Sequence, residues 1–206
     1  MSPYPITARL VHRSLQATVL GVLVVGVGLG NVSVVVNAGL ALAVMGLPAV
    51  LARDFGVQLA PRLTAWIGGA VTIHALGMVV LYEQVWWWDH LTHLVSATLV
   101  AGIGYAVTRS LDEHSDAVSF PRPFLAVYVL LFTLAAGVAW ELAEMVGREA
   151  ARTLGMEPIL VVYGLEDTML DLVFDFAGGV VVAVGGSDAL AGLVTGLRDE
   201  GRREGG

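Results

Sequence analysis

Between Arg13 and Arg53 the chain runs for 39 residues without a charged side chain. As one helix that stretch would be about 58 Å long, roughly twice the hydrocarbon core of a bilayer. It must therefore turn back once. Gly28, Gly30, Asn31 and Ser33 supply turn chemistry near its middle and divide it into helices over residues 14–30 and 33–52. Composition agrees with a membrane solvent: 56% of residues are hydrophobic, 14% are charged, and the mean hydropathy is +0.77.

Four further apolar stretches can each cross once, over residues 63–83, 89–109, 124–145 and 166–184. The expected fold is all-α, a polytopic membrane helix bundle with six transmembrane helices forming a single domain over residues 1–206. Short cytoplasmic loops collect arginine. Nine arginines (Arg9, Arg13, Arg53, Arg62, Arg109, Arg122, Arg198, Arg202 and Arg203) fall on one side of this topology, and Arg148 and Arg152 on the other. That count places both termini in the cytoplasm, with residues 187–206 as a cytoplasmic tail, and the acidic, lysine-free, Gly/Ala/Val-rich usage points to a multi-pass plasma-membrane protein of a prokaryote. The first apolar stretch shows no small-residue cleavage pattern and runs directly into the second.

Several chemistries are excluded. With no cysteine there is no disulfide, iron–sulfur cluster, thiolate zinc site or cysteine nucleophile. All 11 basic residues are arginine, so no Schiff base and no P-loop lysine can form. A net charge of −7 argues against a nucleic-acid partner; the partner implied is the lipid bilayer.

Ionisable residues gather at one level. Asp89, His90 and His93 open the fourth span, Glu141 and Glu144 close the fifth, and Asp167, Asp171 and Asp175 open the sixth. Spacings of three and four put each set on one helix face. An intramembrane charge costs about 2.5–3.5 kcal/mol on insertion scales, so such groups face a bundle interior and have partners. No arginine lies inside a span, and Arg148 can relieve one acid at most. Either several acids keep their protons or a cation neutralises them.

Imidazole with carboxylate suits a divalent ion such as zinc or manganese, while an all-oxygen subset suits magnesium. His93, Glu141 and Asp171 are the candidate metal ligands, with Asp89, His90, Asp175 and His74 as possible outer partners. Glu144 and Asp167 are the candidate catalytic acid/base groups. No organic cofactor is implied. The bland alternative puts Asp89 and His90 at the headgroups beside an interfacial belt of Trp86, Trp87 and Trp88. His74 lies about 13 Å below the outer end of the third span, level with Asp175. It is either a lower extension of the site or a satisfied core histidine. Gly178 and Gly179 allow close helix approach.

The ordered motifs Asp89-His-Leu-Thr-His93, Trp140-Glu-Leu-Ala-Glu144 and Asp167-Thr-Met-Leu-Asp171 resemble the YjdF-like family of uncharacterised bacterial and archaeal inner-membrane proteins. Met145 stands where that family often has tryptophan, and His90 is outside the shared pattern. A more distant similarity is to the VanZ-like membrane proteins, whose pattern falls on Asp89, His93, Glu141, Asp171, Asp175 and Gly178, with Asp175 in place of an asparagine. The resemblance spans residues 72 to 180. It implies a common intramembrane polar site and no particular reaction.

Three functions fit these residues. In a metal-assisted hydrolase or transferase acting on a lipid or lipid-linked envelope substrate at the outer leaflet, His93, Glu141 and Asp171 hold the ion and Glu144 or Asp167 is the base. In a proton or cation transporter the descending aspartates form a relay, although the inner halves of the spans lack polar residues to complete it. In a structural role the acids form a network that fixes the bundle, around an ion or without one.

Overall fold

The long apolar run reverses at Gly30. In the computed structural model, which describes residues 6–114, 119–156, 158–159 and 164–189, this glycine takes φ +65° and its N–H donates to the Val27 carbonyl at 3.1 Å. A Cβ is disfavoured in that left-handed conformation. Asn31 then caps the following helix by accepting from the Val34 N–H at 3.0 Å. The two helices so joined are α1 (Ile6–Leu29) and α2 (Val32–Asp54). Gly26 lets them approach, since a Cβ there would stand 2.7 Å from Val34 Cγ1.

Pro61 opens α3 (Pro61–Gln84), at a position where its missing N–H is not needed. One wide turn over Gly77–Leu81 interrupts this helix. Three more helices follow: α4 (Trp88–His114), α5 (Arg122–Thr153) and α6 (Leu165–Ala189). Among the described residues there is no strand. The fold is all-α, and six helices are long and apolar enough to cross a membrane. Asp116, most of the tail and Arg198, Arg202 and Arg203 lie outside the described residues.

The chain divides into two compact units, Met1–Asp89 with Gly147–Val161, and His90–Val146 with Val162–Gly206. In the first unit, Val19 and Val22 of α1 pack with Val34, Ala38, Ala41 and Met45 of α2 and Ala75 of α3. The same unit holds a polar network. Asn37 donates to the carbonyls of Ser33 and Ile159, both at 2.9 Å, and the Ser33 hydroxyl donates to Ile159 at 2.6 Å. Asn37 Oδ1 accepts from His74 Nε2 at 3.2 Å, and the Tyr82 hydroxyl donates to His74 Nδ1 at 2.7 Å. The wide turn brings Tyr82 back over Gly77, where a Cβ would meet its ring at 2.5 Å.

In the second unit, each helix turns a seam of small or polar residues inward. On α4 the seam is His90, His93, Ala97, Ala101 and Thr108; on α5 it is Leu125, Val129, Thr133, Gly137 and Glu141; on α6 it is Asp171, Asp175, Gly178 and Val182. Steps of three and four keep these positions on one face. Small residues let backbones close up without a water-driven hydrophobic force. At Gly178 a Cβ would stand 2.9 Å from the Leu94 carbonyl oxygen and 3.0 Å from the Thr98 nitrogen, so α6 rests directly on the α4 backbone.

Candidate metal centre

The first two turns of α4, the middle of α5 and the first three turns of α6 converge inside the second unit. His90 and His93 come from α4, Glu141 from α5, and Asp171 and Asp175 from α6, and all five are buried. Their neighbours on the same helices, Trp140, Leu142 and Met145 on α5 and Met169, Leu170 and Val173 on α6, are exposed apolar side chains. The acids therefore turn away from lipid while the apolar residues beside them face it, as the cost of an intramembrane charge demands.

Within the cluster the contacts are directional. An ionised carboxylate only accepts, so with Asp175 in that form His93 Nδ1–H donates to its Oδ1, at 3.3 Å. That fixes the tautomer and turns Nε2 toward Glu141 Oε1 at 3.7 Å and Asp171 Oδ2 at 4.0 Å. Both separations are too long for hydrogen bonds. They are close to the spacing of donors on one ion: two ligand atoms each about 2.1 Å from a tetrahedral metal stand about 3.4 Å apart. His90 Nδ1–H donates to the other oxygen of Asp171, Oδ1, at 2.8 Å, and its ring stacks on Phe174 with centroids 5.1 Å apart and planes 6° from parallel.

Two buried carboxylate oxygens, Glu141 Oε1 and Asp175 Oδ2, have no hydrogen-bond partner. Buried acceptors are nearly always paired, so an orphan calls for an explanation. Glu141 Oε1 belongs to a set, His93, Glu141 and Asp171, whose ligand atoms all lie within 4.8 Å of one another. His90, Asp167 and Asp171 form a second such set. Nitrogen and oxygen donors in these sets match borderline divalent ions.

Other expected site residues are placed as follows. Asp167 is half-buried at the start of α6, beside His90 and Asp171. Glu144 is half-buried on α5, one turn beyond Glu141. Asp89 is half-buried at the start of α4, and His74 has both ring nitrogens engaged by Asn37 and Tyr82 within the first unit. Three residues with no catalytic chemistry shape the cluster without having been singled out from the sequence. Phe174 holds the His90 ring, Thr168 presents its hydroxyl to Glu141, and Gly137 has its missing Cβ filled by the Asp175 carboxylate. Spacing offered one signal: Gly137 is four residues before Glu141 and so shares its face.

The sequence profile of the family described as "Predicted membrane protein (DUF2238)" matches residues 11–191. An "Uncharacterized protein" of Thermotoga maritima is 25% identical over 128 residues, covering 61% of this chain and 62% of that protein. No solved structure matches.

Proposed function

We propose a function for this chain as what it is, a member of the DUF2238 family of predicted membrane proteins: it holds a divalent metal ion between His93, Glu141 and Asp171 and uses it in hydrolysis or group transfer on a lipid or lipid-linked envelope substrate. The observation that carries this is His93 Nε2 facing two carboxylate oxygens at 3.7 and 4.0 Å, one of them the unpartnered Glu141 Oε1. Asp175 orients His93 from its other nitrogen, the usual outer partner of a metal-bound imidazole. The similarity of the three motifs to YjdF-like proteins, and more distantly to VanZ-like ones, supports a shared polar site.

A bound ion would supply Lewis-acid activation of water or of a phosphoryl or acyl oxygen. Asp167, beside the cluster and half-buried, is placed to take a proton from the attacking group; Glu144 is the second candidate. Substrate class follows from the surroundings. The site lies near the ends of α4 and α6, among helices whose outward faces are apolar, so an acyl or polyprenyl chain can remain in the bilayer while its polar head reaches the ion. The arginine distribution supports placing this end at the outer leaflet of a prokaryotic plasma membrane, with both termini cytoplasmic.

The test is turnover by the purified chain, reconstituted in vesicles containing phospholipids and polyprenyl phosphates, with zinc, manganese or magnesium supplied. A product that needs the metal, disappears with chelator and is missing with His93→Ala is expected; heavy oxygen incorporated from labelled water marks hydrolysis and its absence marks transfer. No metal-dependent product from any of these lipids would contradict the enzymatic reading.

A further inference from the structure

We infer that the cluster takes two divalent cations rather than one, with Asp171 bridging them and the second ion held by His90, Asp167 and Asp171, which leaves Glu144 as the acid/base group. This rests on the single-ion reading above and extends it. The two sets of donors share Asp171, and its two oxygens face different histidines. Oδ1 lies 2.8 Å from His90 Nδ1, and Oδ2 lies 4.0 Å from His93 Nε2, so each oxygen of one carboxylate faces its own imidazole. That is the disposition of a carboxylate spanning two ions about 3.5–4 Å apart. At the second position the ion takes the place of the proton between His90 Nδ1 and Asp171 Oδ1; that proton moves to Nε2 and the ring stays neutral.

Charge gives an independent argument. Glu141, Asp171 and Asp175 are buried carboxylates, and Asp167 stands half-buried beside them. A second divalent ion offsets buried negative charge that one ion leaves in place, where an uncompensated charge is costly. Glu141 Oε1 has no hydrogen-bond partner, on a side chain only 8% exposed, and is an acceptor that a cation can satisfy. The stacked Phe174 holds the His90 ring in the one orientation that serves Asp171.

Manganese titration of the purified, chelator-stripped full chain, followed by electron paramagnetic resonance, reads ion number and ion spacing together. The expected result is two ions per chain and an exchange-coupled spectrum that grows with the second equivalent. A His90→Gln, Asp167→Asn variant should then bind one ion with no coupling. One ion per wild-type chain, or two without coupling, would overturn the shared Asp171 and leave the single-ion site standing. No bound ion at all would remove both readings. The wild-type titration decides by itself, so the conclusion does not depend on the variant folding.

Discussion

Asp175 shows how one side chain can matter without touching a substrate. It accepts from His93 Nδ1–H, so His93 presents Nε2 to Glu141 and Asp171, and its own second oxygen is buried without a partner. Removing an outer partner of this kind commonly lowers metal affinity about 10- to 100-fold. Asp175→Asn keeps the shape and an acceptor oxygen but removes the charge, and it should weaken manganese or zinc binding within that range without lowering the number of ions bound. Competition with a calibrated chelator measures it; unchanged affinity would show that His93 is oriented by something else. The sequence displayed Asp175, Asp171, Glu141 and His93 as acids and imidazoles on successive helix faces. It did not display which oxygen faces which nitrogen, because that depends on rotamers set by packing. His90 is the clearest case: outside the shared motif pattern, it is nonetheless hydrogen-bonded to Asp171 and stacked on Phe174.

Among the elements, α4, α5 and α6 owe their close approach to residues that carry no chemistry. Gly178 lies against the α4 backbone on one side of the cluster, and Gly137 makes room for Asp175 on the other. Gly178→Ala must push α6 away from Leu94 and Thr98, neither of whose backbone atoms can swing aside. Overpacking of this sort costs about 1–3 kcal/mol. Lower thermal stability in detergent and weaker metal binding should therefore appear together, while Gly185→Ala, where a Cβ meets nothing within 4 Å, should lower neither. Equal stability of the two variants would mean that α4 and α6 are not held by this contact. Helix number and kind were legible from charge-free runs and from the Gly30–Asn31 reversal. The wide turn in α3 was not, since Gly77 and Tyr82 look ordinary until the ring is seen folded back over the glycine onto His74.

For the whole molecule, the six apolar helices and the family match make this a membrane protein, and the buried cluster is the feature that asks for a function. Transport would require polar residues along a continuous path. Below Asp175 the inward seams of α4, α5 and α6 are built largely of Ala, Val, Gly and hydroxyl-bearing Thr, and the buried Thr108 and Thr133 hydroxyls each donate to their own helix backbone. That favours a site working from one end. The most direct test of the account is metal content: elemental analysis of the full chain purified from membranes and washed with a weak chelator, beside a His93→Ala, Glu141→Ala variant of equal helicity. The account predicts zinc, manganese or magnesium at one or two ions per wild-type chain and a loss of it in the variant. Wild-type protein that holds no metal, and takes none up when zinc, manganese and magnesium are offered, would contradict it and leave the cluster as a proton-sharing structural network.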